Sequence, residues 1–211
     1  MMEDEQVRVF DTNRNPIGVA TRKEVHRLGL WHESFHCWIV SREEEIDYLY
    51  LQLRCELKKD HPNLFDITSA GHLLAHESAL DGIREIKEEL GIDVTFSELI
   101  PLGIINYCVN HEDLIDNELA HTFLYKKNLA FDVFSLQEEE VSGVIKLKFT
   151  DFIDLWTGAK QNVHIKGFEI DPNGQKLVID RMVGTNSFVP HGLLYYETII
   201  QLIQEKLNER R

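Results

Sequence analysis

Three glutamates set close together, Glu85, Glu88 and Glu89, carry the most chemical information in this chain. They lie in a segment that reads as a helix from about Ser78 to Leu90, because Ala79, Ile83, Ile86 and Leu90 recur at helical spacing as an apolar stripe. Asp81, Glu85, Glu88 and Glu89 collect on the opposite side, since residues three and four apart are neighbours on a helix. Ser78 with Asp81 resembles a capping box, and Gly91 stands where a left-handed C-terminal residue belongs. The exposed side is thus expected to be a cluster of carboxylates. Charged helix faces are usually only solvated, and Arg84 with Glu88 could be an ordinary i,i+4 pair worth about 0.2–0.5 kcal/mol. Against that plain reading, Glu88 and Glu89 repel each other and Glu85 unless a cation sits among them. A hard cation such as Mg²⁺ takes such an oxygen cluster, completed by substrate phosphates and water. The residues alone leave both readings open.

The elements that must position these glutamates read as mixed α/β. Gln6 to Phe10 alternates as a strand, followed by a turn over Asp11 to Pro16, and Thr21 caps a short helix stopped by Gly29. Leu30 to Val40, strand-like in its second half, and Tyr48 to Cys55 flank a charged turn, which predicts a hairpin. A short strand between Phe65 and Leu74 leads into the glutamate helix. Downstream, Thr95 to Val109 reads as a strand broken near Pro101 to Gly103, then comes an acidic loop from Asn110 to Asp116, and Glu118 to Lys126 as the partner strand. Val141 to Phe149 reads as a strand, Asp151 to Trp156 as a short helix, and Asn173-Gly174 as a hairpin turn. Leu193, Tyr196, Ile199, Ile200, Ile203 and Leu207 form the stripe of a closing helix over Gly192 to Glu209. No repeat, linker or low-complexity tract is visible, so residues 1–211 are expected to be a single domain.

Composition bounds the function. The 211 residues are 43% hydrophobic and 27% charged, enough chain for a sizeable core. A formal net charge of −14 argues against broad binding to nucleic acid or an anionic membrane, but not against a small phosphorylated substrate whose charge a cation neutralises. Cys37, Cys55 and Cys108 are scattered without C-x-x-C spacing, so neither a zinc knot nor a disulfide framework is implied. No apolar run of spanning length and no leader pattern is seen, and the cytoplasm is the default compartment. The sequence is silent on oligomeric state.

Gly71, Glu77, Arg84-Glu85-Ile86, Glu88-Glu89 and Gly91-Ile92 resemble the Nudix box, G-x5-E-x7-R-E-U-x-E-E-x-G-U with U a bulky aliphatic. Six residues rather than seven separate Glu77 from Arg84, so the loop is one residue shorter, which bears on the role of Glu77. The R-E-x-x-E-E core is intact. The resemblance implies a Nudix fold, a mixed β-sheet sandwiched between helices. It also implies Glu85, Glu88 and Glu89 as ligands of Mg²⁺, with Mn²⁺ as its substitute, and a nearby carboxylate as base.

A second resemblance concerns histidines. A lone histidine is more often structural than a ligand, but His26, His32, His36 and His72 occur near one another in the pattern. His32-Glu33-Ser34-Phe35-His36-Cys37-Trp38-Ile39-Val40, then Ser69-Ala70-Gly71-His72, then Asp116-Asn117-Glu118, are similar to the isopentenyl diphosphate isomerase branch of the Nudix superfamily. The likeness spans most of residues 6–127. It implies a candidate second metal site at His32, His72, Asp116 and Glu118, and His26 lies one residue from where that branch has its other histidine. Those isomerases carry a catalytic cysteine just before the Gly of the box; here that position is Ala70, which can neither give nor take a proton.

The expectation is therefore a Mg²⁺-dependent hydrolase that cleaves a diphosphate linkage in a nucleoside diphosphate derivative or related small organic diphosphate. Glu88 and Glu89 are its catalytic residues, with Glu118 as a further ligand or the base. Arg84 positions the glutamates. Arg54 is a candidate phosphate contact, with a plain surface charge as the alternative, and Trp31, Tyr107 and Tyr195 could stack on a base or belong to the core. Two other functions stay open: a prenyl diphosphate isomerase, disfavoured by Ala70, and a non-catalytic nucleotide-binding regulator, for which a damaged R-E-x-x-E-E core would be expected.

Overall fold

The computed structural model describes residues 4–111 and 114–209. Strands β1 (Gln6–Phe10) and β2 (Pro16–Thr21) pair across a turn in which the Asp11 carboxylate accepts from the N–H groups of Asn13 and Asn15. Helix α1 (Arg22–Leu28) starts in a capping box made by Thr21 and Glu24 and ends at Gly29. The long strand β3 (Trp31–Glu43) turns through Glu44 and Glu45 into β4 (Ile46–Arg54), and β5 (Phe65–Asp66) and β6 (Ser69–His72) are short additions. Helix α2 (Arg84–Leu90) follows; β7 (Leu99–His111) and β8 (Leu114–Lys126) form the next hairpin. The chain closes with β9 (Val141–Lys148), α3 (Phe149–Trp156), β10 (Val163–Ile170), β11 (Lys176–Val183) and α4 (Leu193–Asn208).

Among the described residues these strands form one sheet, with the path β11-β10-β9-β4-β3-β1-β2 and β7-β8 joined through β3. The sheet is mixed because β3 and β8 run parallel, Trp31 beside Asn117 through Val40 beside Lys126, while the other pairs are antiparallel. Alternation along β3 sorts its side chains onto two faces. Trp38 and Val40 join Leu49, Leu51 and the buried residues of α3 and α4 in one core, while Phe35, Cys37 and Ile39 join Ile86 and Leu90 of α2 in the other. The sheet thus lies between helices on both faces. His32, Ser34 and His36 precede Trp38 at the same spacing, so a polar run continues the core of the α4 face. No helix among the described residues is long and apolar enough to cross a membrane.

Several sequence expectations shift. The glutamate helix is shorter than Ser78 to Leu90: a single 3-10 turn, Asp81–Ile83, with Leu80 at its cap position precedes α2, and the Ser78 N–H and Oγ both donate to Asp81 Oδ2 at 2.8 Å. Thr95 caps a 3-10 turn rather than opening a strand, and the break in β7 is a bulge between Pro101 and Gly103. The loop expected over Asn110 to Asp116 is mostly strand on either side of residues 112–113, which lie outside the described residues. In α4, Leu193 is exposed and Tyr195 is buried instead.

Candidate active site

A cavity of about 320 Å³ is lined by Glu85, Glu88 and Glu89 from α2, by Ala70, Gly71 and His72 from β6, and by groups from β4, β5, β7, β8 and the segment before α4. The expected row of exposed carboxylates on α2 is corrected by burial: Glu88 is exposed, but Glu89 is 6% exposed. The Glu89 carboxylate accepts from Ser69 Oγ (2.7 Å) and from the Ala70 N–H (3.1 Å), so it is tied to β6. Glu85 lies against Gly71 so closely that a Cβ there would come within 2.2 Å of its Cδ. Arg84 binds the set together. Its Nε and Nη2 donate to the two oxygens of Glu77 (2.6 and 3.0 Å), Nη2 also to the His72 carbonyl (3.2 Å), and Nη1 reaches Glu85 (2.7 Å) and Glu88 (3.0 Å). Glu77 accepts as well from the Leu74 N–H (2.8 Å), so the shortened loop still anchors it. Burial, with Glu88 adding to it, pushes the Glu85 carboxyl up to about 7, and burial with Glu85 pushes Glu89 up to about 8.

His32, His72, Asp116 and Glu118 come together on the other side of β6. The His32 and His72 rings stack with centroids 4.9 Å apart. Asp116 Oδ1 is 3.5 Å from His32 Nε2 and 3.6 Å from His26 Nε2, and His72 Nε2 is 3.5 Å from Glu118 Oε1. One ligand atom from each of His26, His32, His72 and Asp116 falls within 4.8 Å of the others. Glu118 also accepts from Ser34 Oγ (2.9 Å) and meets His36 Nε2 at 3.1 Å. Burial first, with the charge of Arg22 adding to it, lowers the three clustered imidazoles, His26 to about 4, so they are held neutral with lone pairs available. Burial and the charge of Glu118 raise Asp116 well above the carboxylate range. Burial alone would also raise Glu118, but the hydrogen bond with His36 outweighs it and holds it low.

A third wall comes from β4, β5, β7 and the segment before α4. Asp66, buried, accepts from Arg54 Nη1 (2.7 Å) and the Ile67 N–H (2.7 Å), and meets His191 Nε2 at 2.5 Å. His191 Nδ1 meets the Tyr107 hydroxyl at 2.7 Å. Arg54 further donates through Nε and Nη2 to the Asp60 carbonyl (3.1 and 2.9 Å), so it lines the cavity with most of its donors spent on the protein. Tyr107 and Tyr195 are buried in an aromatic cluster rather than free to stack on a base; Tyr195 meets His36 Nδ1 at 2.8 Å. Trp31 is half-buried on β3 beside Phe10. Sequence reasoning places His26 beside the isomerase-like histidines without counting it as a ligand, and it does not point to Asp66 or His191. His26 carried the signal of lying near two other histidines, whereas Asp66 and His191 are 125 positions apart and had none.

No family model matches the sequence. The chain is 37% identical over 204 residues to an uncharacterized Nudix hydrolase of Clostridium acetobutylicum, covering 97% of this chain and 99% of that one. It belongs to the Nudix hydrolase family. Nudix hydrolase 3 of Arabidopsis thaliana is 33% identical over 72% of this chain, which spans only 20% of that longer protein. An isopentenyl-diphosphate delta-isomerase of Burkholderia multivorans is 30% identical over 56% of this chain and 65% of its own length, which supports the isomerase-like branch. The crystal structure of a Deinococcus radiodurans protein shares the fold with a TM-score of 0.53 at 15% identity, covering 73% of this chain and 90% of that one.

The Nudix box residues of this chain hold separate places: Gly71 makes room, Arg84 and Glu77 brace, and Glu85, Glu88 and Glu89 offer oxygens to the cavity. Nudix hydrolases generally use divalent metals, and both clusters fit one. Crowded, partly buried carboxylates suit a hard cation. In the histidine cluster, His32 Nε2 and Asp116 Oδ1 are buried without a hydrogen-bond partner, and imidazole with carboxylate is a donor set for a transition metal or zinc. Adjacent residues of β6 serve the two clusters, Gly71 abutting Glu85 on one face and His72 joining the imidazoles on the other.

Proposed function

We propose that this Nudix hydrolase cleaves a diphosphate linkage in a nucleoside diphosphate derivative or related small organic diphosphate with Mg²⁺, or Mn²⁺ in its place. The observation that carries the reading is the carboxylate arrangement: Glu85 and Glu89, both raised by burial, stand with Glu88 on the wall of a cavity of ligand size. Glu85, Glu88 and Glu89 would hold the cation, which when bound neutralises charge building on the phosphoryl oxygens. Arg84 fixes the direction of two of these carboxylates while Glu77 fixes Arg84. His32, His72, Asp116 and Glu118, joined by His26, would hold a second cation beside the same cavity. Residues 1–211 act as a single domain in the cytoplasm, without a nucleic-acid or membrane partner, in keeping with the net charge of −14.

The isomerase reading is favoured by the histidine cluster and opposed by Ala70, which lines the cavity where a proton donor would be needed. Incubating the protein with nucleoside diphosphates, ADP-ribose and isopentenyl diphosphate, each with Mg²⁺, and resolving the products tests the two together. Release of monophosphates supports the hydrolase reading. Interconversion of isopentenyl and dimethylallyl diphosphate without hydrolysis overturns it.

A further inference from the structure

The wall formed by Asp66, His191 and Tyr107 belongs to neither metal cluster, and His191 lies well beyond the isomerase-like stretch. A carboxylate only accepts hydrogen bonds, so the 2.5 Å contact with Asp66 places a hydrogen on His191 Nε2. In the neutral imidazole Nδ1 is then a lone pair, and the Tyr107 hydroxyl 2.7 Å away donates to it. The Tyr107 oxygen keeps its own lone pairs for whatever enters the cavity that it lines. Buried carboxylate, oriented imidazole and hydroxyl in line is the order of groups that activates an oxygen nucleophile in the serine hydrolases, here with tyrosine at the end. The groups facing His191 are Asp66 from β5, Tyr107 from β7, and Tyr195 and Tyr196 from α4, with Arg54 of β4 behind Asp66. Of the cavity's other basic groups, Glu118 accepts from Ser34 and meets His36, His36 lies between Glu118 and Tyr195, and Glu85, Glu88 and Glu89 are the carboxylates that would hold the cation.

We propose that Asp66, His191 and Tyr107 form the proton relay that activates the attacking water, an inference that rests on the hydrolase reading. Water gives a proton to the Tyr107 oxygen as Tyr107 passes its own proton to His191 Nδ1. The water oxygen forms a bond to phosphorus, and the bridging P–O bond breaks with its electron pair on the departing phosphate. The departing phosphate leaves as the anion, and His191, now imidazolium against the Asp66 carboxylate, gives the proton up through Tyr107 to solvent once the products have left. Tyr107 gains one proton as it loses another and stays neutral; it is the catalytic residue, and His191 and Asp66 act through it.

The test uses the full chain with Mg²⁺ and the same three diphosphate probes, measuring kcat and KM from about pH 5 to 9, the range in which histidine titrates. Tyr107→Phe and His191→Gln should each lower kcat by ~10²–10⁴-fold with KM little changed. The double variant should be no slower than the slower single one, because groups acting as a unit are not additive. The acid limb of the parent's kcat profile should vanish in both single variants, a change that a merely structural role would not produce. Mn²⁺ affinity read by electron paramagnetic resonance should match the parent in both. If His191→Gln does not fold, Tyr107→Phe, which removes one oxygen, decides alone. The relay is overturned if a folded variant keeps kcat within about threefold of the parent, or if the two losses multiply. A parent that turns over none of the probes overturns the hydrolase reading and the relay with it; turnover retained in the variants overturns the relay alone.

Discussion

Gly71 and Glu85 occupy space that a single methyl group would deny them: a Cβ on Gly71 would lie 2.2 Å from Glu85 Cδ and within 2.6 Å of both carboxylate oxygens. The glycine of the box is therefore required by close approach, not by an unusual backbone angle. Gly71→Ala should push the Glu85 carboxylate out of the cavity wall and lower Mn²⁺ affinity by about 10–100-fold, the scale seen when groups that orient a ligand are lost. Titration followed by electron paramagnetic resonance reads this directly. An unchanged affinity would mean that Glu85 is not a ligand.

Glu88 and Glu89 differ in burial, so the same substitution should separate two effects. Glu88→Gln, on an exposed side chain, should leave stability within about 0.5 kcal/mol yet lower turnover by about a hundredfold or more. Glu89→Gln should lower turnover similarly and also change the melting temperature, because its carboxylate is hydrogen-bonded to Ser69 and Ala70 inside the fold. Full turnover in both variants would reduce these glutamates to a structural role.

The helix cap at Gly91, the Thr21 capping box and the hairpin at Asn173-Gly174 are legible because each is fixed by local chemistry: a left-handed residue, a short side-chain acceptor, a left-handed glycine closing a turn over Asp171 to Gly174. The extent of α2 is not, since the shortened loop after Glu77 winds into a 3-10 turn packed with Gly82 on Phe35, a contact set by distant β3. Burial of Glu89 is hidden from the sequence for a related reason. Helical periodicity assigns it to the polar face, but β6 lies along that face and supplies Ser69 Oγ and the Ala70 N–H as partners. The histidine pair His32 and His72 was suggested by resemblance, while Asp66 with His191 depends on how the last third of the chain folds back.

Acid should expose the weight carried by Asp66. Burial alone would raise its carboxyl, but His191, Arg54 and the Ile67 N–H outweigh burial and hold it well below the usual carboxylate range. A depressed folded-state value contributes stability that is fully present above the unfolded value of about 4 and is lost as pH falls through the folded one. The melting temperature of the parent should thus fall more steeply below about pH 4 than that of Asp66→Asn. At neutral pH, Arg54→Ala should cost about 3–5 kcal/mol by leaving a buried carboxylate short of a partner. A loss of substrate affinity from Arg54→Ala with no loss of stability would instead return Arg54 to the role of a phosphate contact.

The histidine cluster should retain a transition metal or zinc through purification. Elemental analysis should find about one equivalent per chain in the parent and far less in His32→Ala or His72→Ala, because each removes one of the few ligands of a small site. Added zinc should raise the melting temperature of the parent more than that of either variant, since it binds the folded cluster. Equal metal content in parent and variants would leave the cluster as hydrogen-bonded core.

The most direct measurement of the central claim is release of monophosphate from ADP-ribose, nucleoside diphosphates and isopentenyl diphosphate by parent and Glu88→Gln, each with Mg²⁺ and with a chelator. The account predicts hydrolysis of at least one of them by the parent with Mg²⁺, and loss of about a hundredfold or more on chelation or in Glu88→Gln. Hydrolysis that persists undiminished without the cation and in Glu88→Gln, or a parent that isomerises isopentenyl diphosphate and hydrolyses nothing, would contradict it.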